Sequence, residues 1–194
     1  MPNWCSNTLT IVGNDETFDQ VIAPYVTTQI IKYENGKDEE VTMLDFEKIL
    51  PYPKCINENK HLWNMGAAEK LNVTHDELLK LIKEAEQHNL KECGYSSWYD
   101  WGVEQWGTKW NSDQAQISKS GMGFMTAWSP PVQVIAELAK LLQCDLRLIY
   151  IEEGEFFCGE FLANADGSTV DNCYGIDDAP EELLEELGYE PWEE

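Results

Sequence analysis

The fold is decided by residues 115–150, which read AQISKSGMGFMTAWSPPVQVIAELAKLLQCDLRLIY. Two segments of this stretch, 115–120 and 123–128, predict an antiparallel pair of strands joined at a Ser-Gly turn. A helix is expected next, because Ser129 is a suitable N-cap residue and Pro130 is tolerated at the first helical position. The stretch therefore predicts the order strand, strand, helix.

The rest of the second half is also regularly patterned. The helix has an apolar stripe at helical spacing, formed by Val132, Ile135, Leu138, Ala139 and Leu142. Alternating apolar residues predict a strand at 146–150. Two further strands are expected at 156–162 and 169–174, with an Asp166-Gly167 turn between them. An acidic amphipathic helix is predicted over 178–187.

The first half begins with a predicted strand over residues 5–13, where polar and apolar residues alternate. A helix capped by Asn14-Asp15 is expected to follow, with an apolar face formed by Phe18, Val21, Ile22, Tyr25 and Val26. Residues 29–33 and 41–44 predict a hairpin, because an Asn-Gly pair lies between them.

The middle of the chain is predicted to be helical and irregular. A short helical turn is expected over 45–50, because prolines follow it. A longer helix should begin at Thr74, since Thr74 and Glu77 have the spacing of a capping box, and should run to about Leu90. Residues 94–111 hold many aromatic side chains and predict a loop or an irregular helix.

These elements predict an α+β fold in which two helices pack on one face of an antiparallel sheet. The order matches a split β-α-β unit that a helical segment interrupts. We expect a single domain over 1–194, with 52–111 as a helical and aromatic insertion. Residues 175–194 are expected to form an acidic C-terminal extension.

Charge is the most distinctive feature of the composition. Thirteen basic and 36 acidic residues give a net charge of −23. The candidate acidic surface comprises Glu152, Glu153, Glu155, Asp177, Asp178, Glu181, Glu182, Glu185 and Glu186. Such a surface repels phosphate, so direct nucleic-acid binding is not expected. It could attract a protein partner with a basic face, or it could serve only solubility.

Aromatic residues supply the second candidate surface, because Trp and Tyr dominate many binding interfaces. The candidates are Trp4, Trp98, Tyr99, Trp101, Trp106, Lys109, Trp110, Asn111 and Trp128. Lys109 among these aromatics would suit an anionic ligand or a cation–π contact. The alternative is a buried aromatic seam, which we favour for Trp106 and Trp110.

Enzyme, metal and membrane functions have little support in the sequence. No catalytic residues can be assigned, since the three histidines lack metalloenzyme spacing and no Gly-x-Ser-x-Gly or phosphate-binding loop is present. The cysteines are dispersed, so neither a metal nor another cofactor is expected, and most thiols should be buried. No apolar run could span a bilayer and no signal peptide is recognisable, which predicts a cytoplasmic protein.

Three motifs carry a family resemblance: MPNWCSN at residues 1–7, WGTKWN at 106–111 and FMTAWSPP at 124–131. In this order they resemble the YubB ferredoxin-like family of bacteriophage and plasmid proteins, over Met1 to about Gly159. The resemblance implies a ferredoxin-like domain with a helical insertion, encoded by a mobile element and acting inside a bacterium. It implies no iron–sulfur cluster and brings no catalytic residues.

Two functions remain open. The first is a non-enzymatic binding protein that inhibits a host nucleic-acid-handling or defence complex through its acidic surface, the partner being a host protein with a basic face. The second is a small-ligand binder or enzyme with a cleft lined by Trp4, Trp106, Lys109, Trp110 and Trp128, into which Lys109 and Asn111 should point.

Overall fold

The computed structural model describes residues 3–13, 17–32, 38–152, 154 and 156–189. The chain folds as two compact units. The first consists of Met1–Leu50 and Trp106–Glu194, and the second consists of Pro51–Gln105. The second unit ends at Gln105, whereas the insertion was predicted to extend to residue 111.

The strands and helices are bounded as follows. The strands are Trp4–Ile11 (β1), Val26–Lys32 (β2), Asp38–Leu44 (β3), Asp113–Ile117 (β4), Met122–Ala127 (β5), Leu146–Glu152 (β6), Phe157–Ala163 (β7) and Thr169–Gly175 (β8). The helices are Phe18–Ile22 (α1), Phe46–Ile49 (α2), Lys54–Asn59 (α3), Ala67–Leu71 (α4), His75–Cys93 (α5), Trp98–Gln105 (α6), Val132–Leu142 (α7) and Glu181–Leu187 (α8).

The first unit is built on a six-stranded sheet with the order β4-β5-β1-β6-β7-β8. All neighbouring strands in it are antiparallel. The four strands β4, β5, β1 and β6 have the order of a ferredoxin-like split β-α-β unit, and β7 and β8 extend the sheet beyond it. The predicted α+β, ferredoxin-like fold is confirmed.

One face of this sheet forms the main core. Leu9 of β1 lies opposite Leu148 of β6, and Ile11 lies opposite Leu146. All four side chains are buried. Helix α7 lies against β6 and β7 and packs on α2, and its buried residues continue the core, as the helical stripe predicted.

The opposite face is covered by α8 along the β6 side. Ile149 and Ile151 of β6 alternate with the main-core residues and therefore point to this second face. They form a second apolar cluster with Cys158, Ile176 and Leu183. The acidic C-terminal helix is thus held to the sheet by its own leucine.

Three predicted helix boundaries were wrong in the first unit, and one of them is the start of α8, which begins at Glu181 and not at residue 178. Helix α1 ends at Ile22, because Pro24 has no N–H to donate in a continuing helix, and Val26 begins β2 instead. Helix α7 begins after Pro131, and the hydroxyl of Ser129 donates to the carbonyl of Gly107 rather than capping the helix. The proposed Asn14-Asp15 cap lies outside the described residues.

The predicted hairpin is confirmed as the paired strands β2 and β3, while its Asn-Gly turn lies outside the described residues. Ser112, just before β4, ties this hairpin to the main sheet. Its hydroxyl accepts from the N–H of Leu44 at 2.7 Å and donates to the carbonyl of Leu44 at 3.0 Å.

The second unit contains α3 to α6. Helix α5 begins with the predicted capping box, in which Thr74 and Glu77 each bond to the other's backbone N–H. Leu62, Ala67, Leu78 and Ala85 form its apolar cluster. The stretch predicted as a loop or irregular helix includes the regular helix α6.

Among the described residues, no helix has the length and apolar character to cross a membrane.

Candidate functional site

The acidic surface is centred on α8 and on the 3-10 turn Ile176–Asp178 that precedes it. The helix is amphipathic: Leu183 is buried in the second apolar cluster, and Leu184 and Leu187 pack against it. The outward side carries exposed carboxylates from Asp177, Asp178, Glu181, Glu182, Glu185 and Glu186. Because the leucines fix the helix on the sheet, these carboxylates are held in a defined arrangement.

One of these carboxylates is neutralised. Arg147 of β6 donates to Glu186 through both terminal guanidinium nitrogens, the second at 2.8 Å, and through Nε to Glu160 of β7. The hydrogen bonds and charge of Arg147 lower the pKa of Glu186 below its usual range. The same carboxylates raise the pKa of the guanidinium. The pair joins α8 to the sheet beside the apolar cluster.

Glu152 does not belong to the acidic surface, which corrects the prediction. It is 1% exposed and lies opposite Cys5 on the main-core side of the sheet. Its carboxylate accepts a hydrogen bond from the N–H of Gly154. Burial raises the pKa of the Cys5 thiol to about 12, and the nearby charge of Glu152 contributes. Glu153 and Glu155 lie outside the described residues.

The aromatic candidates divide between the two units. In the first unit, Lys109 lies between two indoles. Its Nζ is 4.4 Å from the ring centre of Trp110 and 5.0 Å from that of Trp128. The two indoles are 37% and 39% exposed. Trp4, also partly exposed, pairs with Ala127, the residue before Trp128. Lys109, Trp110 and Trp128 form an accessible cation–π cluster.

The backbone beside this cluster is firmly held. Thr108 donates from its hydroxyl to the carbonyl of Ala127 at 2.7 Å. The backbone of Trp128 adopts a positive φ of 75°. The N–H of Trp128 bonds to the carbonyl of Asn3. These contacts bring parts of all three sequence motifs to one end of the sheet.

Two other candidates have structural roles. Trp106 is 1% exposed, donates its indole N–H to the carbonyl of Leu50 and packs edge-on against Phe46. Asn111 accepts from the N–H of Phe46 and donates to the carboxylate of Asp45 at 3.1 Å. Both side chains therefore hold α2 in place. The core position favoured for Trp106 is confirmed, but the one favoured for Trp110 was wrong.

The remaining aromatic candidates lie in the second unit. Trp101 is buried, with its ring centre 4.9 Å from that of Tyr52. Trp98 is half-buried, and Tyr99 is exposed beside it, with the rings edge to face. Trp101 thus packs within the helical unit, and of this group Tyr99 is the exposed member.

Sequence reasoning missed two arrangements. The first is the ion pair of Arg147 with Glu186, since neither residue has a distinctive motif around it. The second is a close pair of thiols, Cys55 and Cys93, whose Sγ atoms are 3.2 Å apart. The two cysteines are 38 residues apart and lie in no common motif, so the sequence did not predict their contact. In the described part of the chain, no group of three or more His, Cys, Asp or Glu side chains is arranged to hold a metal ion.

Comparison with known protein families supports a ferredoxin-like domain in the second half of the chain. Residues 105–188 match a family described as the ferredoxin-like domain in Api92-like protein. A crystal structure of a protein Api92 from Yersinia pseudotuberculosis is similar with a TM-score of 0.43 and 13% identity, covering 93% of this chain and 100% of that chain. No curated protein matches significantly. The family match confirms the ferredoxin-like part of the expected resemblance, for residues 105–188.

Proposed function

We propose that this protein is a non-enzymatic binding protein that presents the outer side of α8 to a protein partner with a basic face. One observation carries the proposal: the leucines of α8 are packed against the sheet, so its carboxylates form a rigid acidic face. A fixed array needs less ordering on binding than a flexible acidic tail would.

The charge of this face supports the proposal. Arg147 neutralises Glu186. Across the described ranges, no lysine or arginine forms an ion pair with Asp177, Asp178, Glu181, Glu182 or Glu185. The whole chain carries a net charge of −23, so its field would accelerate encounter with a basic surface and repel a phosphate backbone.

The partner is therefore a protein and not a nucleic acid. A nucleic-acid-handling or defence complex of a bacterial host fits this chemistry, because such complexes have basic clefts that an acidic protein can occupy. The resemblance of the three motifs to the YubB ferredoxin-like family of bacteriophage and plasmid proteins favours a mobile-element origin and an inhibitory role in the host cytoplasm.

Affinity capture from a bacterial lysate at low and high salt, followed by mass spectrometry, tests this function. We expect a protein with a basic face to be retained at low salt and released at high salt, because screening weakens exposed charge pairs. Equal retention at both salt concentrations would contradict the electrostatic mechanism.

A second candidate function rests on Lys109. Its ammonium between the partly exposed rings of Trp110 and Trp128 could bind the anionic group of a small ligand, while an indole stacks on a planar part. The hydrogen bonds of Asn111 within the fold remove one of the polar groups expected to line such a cleft.

Intrinsic tryptophan fluorescence tests the second candidate with a panel of anionic aromatic compounds. Saturable quenching that is lost in Trp110→Ala and kept in Trp98→Ala, a change in the other unit, would favour this candidate. Quenching that is identical in both variants would argue against it.

A further inference from the structure

Two thiols of the second unit lie in contact although they are far apart in sequence. Cys55 is in the first turn of α3, and Cys93 is the last residue of α5. The Sγ of Cys55 donates to the Sγ of Cys93 over 3.2 Å, and both residues are free cysteines. A disulfide bond is about 2.05 Å long, so the two sulfur atoms need to approach by only about 1 Å.

The surrounding hydrogen bonds hold this pair in place. Asn59 of α3 donates from its amide to the carbonyl of Cys55 at 2.9 Å and to the side-chain oxygen of Asn89 of α5 at 3.2 Å. The thiol of Cys93 donates to the carbonyl of Asn89. Asn89 is fully buried and also donates to the carbonyl of Ser96. The two helices are thus fixed where the thiols meet.

The two thiols differ in access. Cys55 is 8% exposed, whereas Cys93 is half-buried. Both line a shallow surface pocket of about 340 Å³, which admits a small oxidant. Burial raises the pKa of Cys55, so this thiol is poorly suited to react first.

We propose that Cys55 and Cys93 form a reversible redox site, in which a hydroperoxide oxidises the pair to a disulfide. The Cys93 sulfur attacks one peroxide oxygen, the O–O bond breaks, and the leaving oxygen takes up the proton of the Cys93 thiol, which gives a sulfenic acid and releases water or an alcohol. The Cys55 sulfur then attacks the Cys93 sulfur, and the hydroxyl leaves as water with the proton from Cys55. Two thiols and hydrogen peroxide thereby yield one disulfide and two water molecules. A dithiol reductant reverses the change.

Peptide mapping of the full chain tests the proposal directly. The protein is treated with hydrogen peroxide, its remaining thiols are alkylated, and trypsin is added without reductant. Cleavage after Lys54, Lys60, Lys91 and Lys109 yields peptides 55–60 and 92–109, each with a single cysteine. We expect these two peptides to be joined, with a combined mass lower by two hydrogen atoms, and to separate on reduction.

Variants and a matched control sharpen the result. Cys93→Ser should abolish the cross-linked peptides, whereas Cys173→Ser, which removes an exposed thiol of the other unit, should leave them unchanged. The cross-link is measured first in the wild-type protein, so the main result does not depend on whether a variant folds. If both peptides remain fully alkylated after peroxide treatment, the proposal is wrong. It is equally wrong if Cys93 is oxidised only to sulfinic acid or joins a different cysteine.

Discussion

Arg147 on β6 binds Glu186 on α8 through two parallel hydrogen bonds, and its Nε donates a third hydrogen bond to Glu160 on β7. Two-point contacts of this kind are stronger than a single exposed ion pair, because the guanidinium and carboxylate geometries match. The contact attaches α8 to the sheet at a second point, in addition to the packing of its leucines.

Removal of this guanidinium should loosen α8. We expect Arg147→Ala to lower the free energy of unfolding by about 1–2 kcal/mol, because Glu160 and Glu186 lose their shared cation. Urea unfolding measures the change, and a glutamate-specific protease should cut within α8 sooner. Lys140→Ala serves as the control, since its partner Glu137 lies on the same helix. An equal loss of stability in both variants would contradict a special role for Arg147.

The same contact predicts a pH dependence. The pKa of Glu186 is lowered in the folded protein from its ordinary value of 4.5. Its stabilising contribution is therefore fully present above that ordinary value and is lost as the pH falls through the lower, folded-state pKa. The stability difference between wild type and Glu186→Gln should shrink as the pH falls below 4.5. Urea unfolding at several pH values measures it, with Glu182→Gln as the matched control. A constant difference would contradict the contact.

Position 159 on β7 requires glycine, because the ring of Tyr150 and the backbone of Asn172 lie too close to leave room for a Cβ atom. A Cβ at this position would lie 2.5 Å from the carbonyl of Asn172 and would overlap the hydroxyl of Tyr150. That hydroxyl donates to Asp171 at 3.0 Å. We expect Gly159→Ala to lower the free energy of unfolding by about 2–4 kcal/mol, because the strand and the ring must move apart.

Gly123 on β5 provides the control for this substitution. A Cβ there would approach only the carbonyl of Asn7, at 3.9 Å. Gly123→Ala should therefore change the free energy of unfolding by less than about 1 kcal/mol. Urea unfolding of both variants decides the matter, and similar losses in the two would show that the Tyr150 contact is unimportant.

The capping box of α5 gives a fourth prediction. Thr74 accepts from the N–H of Glu77, and Glu77 accepts from the N–H and hydroxyl of Thr74. Thr74→Ala should lower the free energy of unfolding by about 1 kcal/mol, because the N–H of Glu77 loses its hydroxyl acceptor and the carboxylate of Glu77 loses the hydroxyl donor. Lys80→Ala, on the exposed side of the same helix, should have an effect below about 0.5 kcal/mol. Circular dichroism with urea measures both, and the reverse ranking would contradict the cap.

Local patterns predicted much of the fold because the signals lie close together in sequence. The alternation around Leu146 and Leu148 gave a strand, and the spacing of Thr74 and Glu77 gave a helix start. The same alternation extended to Glu152 would have placed that residue on the core side. The acidic residues around Glu152 instead favour a surface position for its carboxylate, which is why the prediction was wrong.

The arrangements that sequence reasoning missed depend on distant parts of the chain. Ser129 is a residue type that often caps helices, but its hydroxyl donates a hydrogen bond to the carbonyl of Gly107 instead. A ligand-binding role is expected for Asn111 from the sequence, but its side chain donates to Asp45 and accepts from the N–H of Phe46 at the start of α2. Only the tertiary structure decides which of several possible partners a polar side chain takes.

The central claim is that the outer carboxylates of α8 form the binding face. The most direct measurement is lysate capture with the triple variant Glu181→Gln, Glu182→Gln and Glu185→Gln, beside a control that removes the same charge from the other unit: Glu69→Gln, Glu84→Gln and Glu92→Gln. All six side chains are exposed. We expect the first variant to lose the partner that wild type retains at low salt, and the control to keep it. Equal retention by the two variants would contradict the assignment of this face.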